Sequence, residues 1–194
     1  VWAAPRRPVV LAGAGAMRSG ARDELIALAD RLGAPLATTL LAKDYFAGAD
    51  GYVGVCGTVS TDVGIDVIAG ADCLVVFGAS LNAYTAAHGD LVRDKALVHV
   101  DVRPTAIGRY FPVTVGIVGD ARATAAAMRR MLEAADMLPS GYRTPALLER
   151  LRALDPRDEV KGAPREGTID MRTAMIELDV LLPRDRTVVT DTGR

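Results

Sequence analysis

The sequence predicts an α/β domain: a doubly wound parallel sheet of about six strands with helices on both faces. Three observations carry that prediction. Short Val-, Leu- and Ile-rich runs alternate with stretches of helical period, and several of the runs end on Gly. Half of the 194 residues are hydrophobic while only 5% are aromatic. Strands buried on both faces read as continuous aliphatic runs, and right-handed crossovers between them supply the helices.

Pro8-Val9-Val10-Leu11-Ala12 is predicted as the first buried strand, followed by the tight turn Gly13-Ala14-Gly15-Ala16. Leu25, Ile26, Leu28, Ala29 and Leu32 mark the apolar stripe of a helix that Gly33 stops. Pro35-Leu36-Ala37-Thr38-Thr39 is a second strand, and a looser Gly-bearing stretch follows it. A short helix spans Val63 to Ala69, then Cys73-Leu74-Val75-Val76-Phe77 forms a third buried strand ending at Gly78. Leu97 to Asp101 is a fourth strand and Val113 to Val118 a fifth. Ala121 to Ala135 is a long Ala-rich helix with Asp120 as its N-cap candidate.

The first domain is expected to cover residues 1–138. Pro139, Pro145, Pro156 and Pro164 mark residues 139–168 as a linker draped over a surface, with a helical piece from Ala146 to Leu154. Asp170 to Leu182 is a helix broken by Pro183, and Arg186 to Thr190 a sixth strand running into Asp191-Thr192-Gly193. In α/β proteins a strand's carboxyl end is where ligand loops sit. A parallel strand needs a crossover and cover on both faces, so residues 169–194 read as the truncated start of a second domain.

Composition narrows the function classes. Lys and Arg total 23 against 24 Asp and Glu, a net charge of −1, with no basic cluster; this argues against nucleic acid. Lysine occurs only at Lys43, Lys95 and Lys161, and the surplus arginine reads as a solvated helix surface. Cys56 and Cys73 make neither a disulfide framework nor a zinc spacing, and Cys73 reads as a small buried hydrophobe. No apolar run has membrane-spanning length and no signal-peptide pattern opens the sequence, so no membrane partner and a cytoplasmic location are expected.

Candidate chemistry gathers at strand ends. Gly13-Ala14-Gly15-Ala16 stands where a Gly turn lets backbone approach a phosphate or adenosine, yet Gly20 comes late for the third Gly of a dinucleotide fingerprint. Plain strand-to-helix geometry explains such a turn equally well. Asp101 is placed to hold ribose hydroxyls or, on equal footing, to be satisfied by turn amides. Gly78-Ala79-Ser80 would line the same crevice. His99 reads as a satisfied core or interface imidazole, and His88 has no acid or Cys at helpful spacing. No catalytic residue and no metal ligand set is assigned, and no self-sufficient active site is expected.

Several segments in order resemble the central domain of thiamine diphosphate-dependent enzymes, the acetolactate synthase, pyruvate oxidase and oxalyl-CoA decarboxylase superfamily. They are Arg7 to Ala16, Leu32 to Thr39, Gly54-Val55-Cys56-Gly57-Thr58, Ala71 to Ala79, Val98 to Gly108 and Ile117 to Ala121. Thr190-Asp191-Thr192-Gly193 resembles the first strand of the family's diphosphate-binding domain. The resemblance implies a Rossmann-like fold of the NAD/FAD-binding type. It also implies a three-domain parent, a homodimer or tetramer, that makes or cleaves carbon–carbon bonds of 2-oxo acids with thiamine diphosphate and Mg²⁺. The activating Glu and the GDG…N diphosphate motif of that family are not in this chain, so the missing pyrimidine- and diphosphate-binding domains are its implied partners and the chain alone would be catalytically silent.

Family members carry FAD, ADP, the nucleotide end of CoA, or nothing in this domain. The positions matching the nucleotide lining are Gly13, Ala14, Gly15, Gly57, Thr58, Gly78, Ala79, Asp101 and Asp120. Ser80 stands where flavin binders have Arg, and Arg103 where they have a second acid. Losing a bidentate Arg removes a strong contact to phosphate, so an empty or weakly nucleotide-binding cleft is favoured over bound flavin. Ser80-Leu81-Asn82 echoes the Arg-Leu-Asn of the CoA-using branch without its charge. Two other readings compete. One is a free-standing adenine-nucleotide module binding FAD, ADP, NAD or CoA. The other is a sirtuin-like deacylase, which Gly13-Ala14-Gly15 and Ser19-Gly20 suggest, but two cysteines do not build its four-Cys zinc module.

Overall fold

The computed structural model describes residues 6–162 and 166–189. Strands β1 (Pro8–Ala12), β2 (Leu36–Thr38), β3 (Tyr52–Val55), β4 (Cys73–Phe77), β5 (Ala96–Asp101) and β6 (Val115–Val118) form one sheet in the order β3-β2-β1-β4-β5-β6. All five pairings are parallel, with Val10 opposite both Leu36 on β2 and Val75 on β4. This is the doubly wound order, whose direction reverses between β1 and β4. Every residue of β1 and β4 is buried, as a central parallel strand covered on both faces requires.

The helices are α1 (Ala14–Arg18), α2 (Arg22–Leu32), α3 (Asp62–Gly70), α4 (Ala121–Ala134), α5 (Pro145–Ala153) and α6 (Met171–Leu181). On α2 the predicted stripe is buried at Leu25, Leu28, Ala29 and Leu32, and it packs with Ala121 and Ala125 of α4 against Val10, Ala12, Val75, Phe77 and Val100. Strand alternation turns Val9, Leu11, Leu74 and Val76 to the opposite face, where α3 buries Val67 and Ile68. Asp120 caps α4 as expected, accepting a hydrogen bond from the Ala123 amide at 2.9 Å. Gly33 closes α2 at φ 63°, a left-handed position that favours glycine.

The structure corrects two strand assignments. The stretch read as loose contains β3, which pairs with β2 through an irregular register. Gly51 and Gly54 disguise it, with only Val53 and Val55 buried. Residues 186–189, read as strand, carry none; Thr190 and the Asp191-Thr192-Gly193 turn lie outside the described residues. A β-branched run becomes a strand only where a neighbouring strand takes its backbone hydrogen bonds.

The chain divides into two compact units, one ending at Ala153 and the other beginning at Leu154. The first thus continues past Leu138. Ser140 donates its amide to the Leu32 carbonyl at 2.8 Å and its hydroxyl to that of Gly33 at 3.1 Å, satisfying carbonyls that the end of α2 leaves open. Tyr142 Oη donates to the Val67 carbonyl at 2.6 Å, and Arg143 pairs with Asp30 at 2.6 Å. The arginines are therefore more than a solvated surface. Arg22 Nε donates to the Tyr45 carbonyl and a terminal nitrogen of Arg31 to that of Leu132, each tying a helix to a distant segment. In the second unit α6 is capped by Asp170, whose carboxylate accepts from the Arg172 and Thr173 amides. Among the described residues no helix is long and apolar enough to cross a membrane.

Candidate functional site

The carboxyl ends of β1, β4, β5 and β6 open onto a cleft of about 270 Å³ lined by Gly15, Arg18, Gly78, Asp101, Arg103 and Asp120, among others. It lies at the reversal of strand order, where doubly wound sheets place their ligands. Its volume falls just below the usual range of small-molecule sites, room for one end of a nucleotide.

The Gly turn serves the fold first. The Gly13 amide donates to the Phe77 carbonyl and the Gly15 amide to that of Gly78, both at 2.9 Å. Two donors that a phosphate-cradling loop would offer its ligand are thus spent joining β1 to β4. A Cβ on Gly13 would stand 2.3 Å from the Gly78 oxygen, and one on Gly15 2.8 Å from Gly78 Cα. Glycine is required here by backbone meeting backbone, the plain strand-to-helix alternative of the sequence reading.

The polar groups on the cleft are side chains. Asp101 is 7% exposed at the end of β5. Its Oδ1 accepts from the Arg103 amide at 2.9 Å and faces Arg103 Nε at 3.4 Å, while Oδ2 takes no hydrogen bond among the described residues. The turn-amide alternative for Asp101 holds for one of its two oxygens. Asp120 likewise commits Oδ1 to its cap. Arg18 and Ser19, at the end of α1, complete the opposite wall; sequence reading did not assign them, although their place just after the Gly turn would have found them.

Of the residues expected to line a nucleotide, Gly15, Gly78, Asp101 and Asp120 meet at the cleft. Gly13 and Ala14 sit behind it at the start of α1, and Ala79 is buried, its carbonyl taken by His99 Nε2 at 2.8 Å. Ser80 lies in an adjoining recess. Gly57 and Thr58 are elsewhere: the Thr58 amide donates to the Tyr84 carbonyl at 3.0 Å, joining the loops after β3 and β4.

His99 is 1% exposed, and its Nδ1 has no partner among the described residues, so the imidazole is half satisfied rather than fully. Burial pushes its pKa below the ordinary value, outweighing the Ala79 carbonyl and the Asp101 charge, which raise it. The native ring is neutral, with Nε2–H donating to Ala79. The unfolded chain takes up a proton near pH 6.5 that the native ring refuses. Stability is therefore full above pH 6.5 and falls as the pH drops from there towards the native pKa. His99→Gln is expected to shrink the stability lost between pH 7.5 and 5.5, by up to about 1 kcal/mol in urea titrations. An unchanged loss would contradict a neutral buried ring.

Neither thiol is a nucleophile at neutral pH. Burial pushes Cys56 up to about 12, and burial with the Asp72 charge pushes Cys73 up to about 11.

The family profile of the thiamine pyrophosphate enzyme central domain matches residues 3–128. The chain belongs to that family. An acetolactate synthase large subunit of Parasynechococcus marenigrum is 30% identical over 191 residues, 97% of this chain and 30% of the synthase. A sulfoacetaldehyde acetyltransferase of Roseovarius nubinhibens is 36% identical over 123 residues, 61% of this chain and 20% of its own length. A Pseudomonas aeruginosa protein assigned as a 2-ketoarginine decarboxylase is 30% identical over 198 residues, 98% of this chain and 34% of its own. The chain therefore spans between 20% and 34% of the length of those relatives. Its fold is shared with the X-ray structure of a protein assigned as a thiamin diphosphate-dependent enzyme from Mycobacterium smegmatis, at TM-score 0.52 and 24% identity, covering 66% of this chain and 25% of that one.

The described residues give thiamine diphosphate no cation-binding ligand set. Among the described residues no three His, Cys, Asp or Glu side chains converge on a cation position, and the two cleft aspartates each have an oxygen committed to the chain. No chemical step through that cofactor is assigned to these residues.

Proposed function

We propose that this chain serves as the central domain of a thiamine diphosphate- and Mg²⁺-dependent enzyme that makes or cleaves carbon–carbon bonds of 2-oxo acids. In this reading residues 1–138 are the Rossmann-like platform, 139–168 a linker whose first part, to Ala153, packs on that platform, and 169–194 the start of the diphosphate-binding domain. The parent is a cytoplasmic homodimer or tetramer whose pyrimidine- and diphosphate-binding domains hold the cofactor. The match of residues 3–128 to the central-domain family supports the reading above all else.

Within that platform the cleft at the β1/β4 reversal takes the adenosine end of a nucleotide weakly. Asp101 Oδ2 accepts a ribose hydroxyl, and Arg18 and Arg103 stand where the phosphates leave. With two Gly-turn amides already spent on β4, the phosphates rely on side chains, which favours weak binding over a tightly held flavin.

Thermal shift on the 194-residue chain tests this. A ligand of Kd about 0.1 mM supplied at 1 mM stabilises by about 1.4 kcal/mol, raising Tm by roughly 3–6 °C. That rise is expected with ADP. Thiamine diphosphate with Mg²⁺ is expected to leave Tm unchanged, and pyruvate to be left intact by the chain alone. Turnover of pyruvate, or a rise with thiamine diphosphate but not with ADP, would contradict the reading.

The competing reading, a free-standing adenine-nucleotide module, draws on the same cleft. A natural polypeptide of this length binding ADP would favour it.

A further inference from the structure

A separate cavity of about 350 Å³ opens where the chain enters β5 and β6, at the amino ends of those strands. It shares no lining residue with the cleft at the carboxyl ends. Its volume lies within the range of small-molecule sites. Val92, Leu97, Phe111 and Pro112 supply its apolar lining, with Val92 and Leu97 buried. The loop between β4 and β5 is bent to form it. Ala87, His88 and Asp94 have φ of 46°, 57° and 59°, a left-handed region costly for any residue with a Cβ, and the last two line the cavity. Gly89 follows at φ 110°, where a Cβ would stand 3.3 Å from Phe111 Cε1, so the loop lies directly against that ring. Residues held this way persist only where their surroundings fix them, and ligand clamps are one such place.

The charges on the cavity narrow the ligand. Lys95 is committed to the fold, its Nζ donating to the Ala69 and Ala71 carbonyls at 2.7 and 2.8 Å beside the end of α3. Arg93 is not committed. Its one ion pair among the described residues is a 3.9 Å approach to Asp90, with the two side chains 72% and 80% exposed, and such a contact holds little. The guanidinium fork is thus available to a carboxylate. Asp94 also lines the cavity and repels a ligand of high negative charge. One available cation beside one carboxylate suits a monoanion better than a phosphate. The Phe111 ring and Pro112 offer flat apolar faces, which pack best on another ring.

We propose that this cavity binds a small aromatic monocarboxylate, its ring against Phe111 and Pro112 and its carboxylate on Arg93. The site is independent of the nucleotide reading of the cleft. A charge-assisted bond from Arg93 amounts to about a tenfold preference for the acid over a neutral ligand of the same shape at low salt.

Isothermal titration of the 194-residue chain with 3-phenylpropionate, 3-phenylpropan-1-ol and 4-methylpentanoate separates the charge from the ring. The phenyl acid is expected to bind with Kd of about 0.1–1 mM at low salt, about tenfold tighter than the alcohol and tighter than the aliphatic acid. Arg93→Gln, at an exposed position, is expected to weaken the phenyl acid about tenfold while the alcohol and the Tm without ligand stay the same. Phe111→Leu is expected to erase the preference for the phenyl acid over 4-methylpentanoate. Saturating ADP is expected to leave all three affinities unchanged. Equal binding of acid and alcohol, a preference that survives Arg93→Gln, or equal binding of the two acids by the unaltered chain would overturn the proposal. So would competition from ADP, which would move the acid to the strand-end cleft, or no binding of the phenyl acid up to about 10 mM.

Discussion

Gly78→Ala is expected to destabilise the domain by about 2–5 kcal/mol. Gly78 sits at φ +57°, where a Cβ costs roughly 1–2 kcal/mol for the backbone conformation alone. The added carbon would also stand 2.5 Å from the Ala16 nitrogen and 2.6 Å from Gly15 Cα, both backbone atoms of the start of α1. Rotating a side chain cannot relieve that overlap, so β1 and β4 must separate or α1 must shift, at a further 1–3 kcal/mol or so. Set against a native stability of about 5–15 kcal/mol, the loss is severe. Gly20→Ala is the matched control, because Gly20 has φ +63° but nothing within 4 Å of its would-be Cβ. It is expected to cost only the conformational part. Urea unfolding of both variants checks the difference, and equal losses would show that the β1/β4 contact is looser than described. The proposed nucleotide cleft is framed by the same backbone, so Gly78→Ala is also expected to abolish ADP stabilisation in whatever fraction stays folded.

Phe46→Ala is expected to cost about 3–5 kcal/mol, the cavity-forming range for a buried aromatic. Phe46 is fully buried with its ring centroid 5.3 Å from that of Tyr45 and 6.1 Å from that of Tyr52. Neither neighbour is free to collapse into the space. The Tyr52 hydroxyl is bonded to Thr38 Oγ1 at 3.0 Å and accepts the Asp44 amide at 3.1 Å, and the Tyr45 hydroxyl donates to the Ala16 carbonyl at 3.2 Å. Phe46→Leu keeps most of the volume and is expected to lose less than about 1.5 kcal/mol. Midpoints of urea denaturation at unchanged slope test the pair. A loss below 1 kcal/mol for the alanine variant would mean that the segment between β2 and β3 is a surface loop after all.

That segment shows where sequence reading stops. The continuous runs at Pro8–Ala12 and Cys73–Phe77 announce central strands, because a strand covered on both faces is apolar at every position. The α2 stripe and its Gly33 stop, and the Asp120 cap, are equally local signals. β3 carries no such signal. Gly51 and Gly54 stand at φ 78° and 90°, and its pairing with β2 is fixed by an irregular register that no local pattern encodes. Phe46 is part of the core cluster, with Tyr45 and Tyr52 packed against it.

The site divides in the same way. Gly15, Gly78, Asp101 and Asp120 were legible as strand-end residues, since ligands of a parallel sheet gather at its carboxyl edge. Gly57 and Thr58 matched the family equally well, yet they bridge the loops after β3 and β4 instead. By itself the sequence determined the class of fold and its family, because burial pattern and ordered motifs are properties of the chain. Only the tertiary structure decided how the donors and charges are spent. The Gly-turn amides go to β4, one Asp101 oxygen goes to Arg103, and a recess opens between Arg103 and Arg109. Hydrogen bonds between distant residues depend on three-dimensional separation, which linear spacing does not contain.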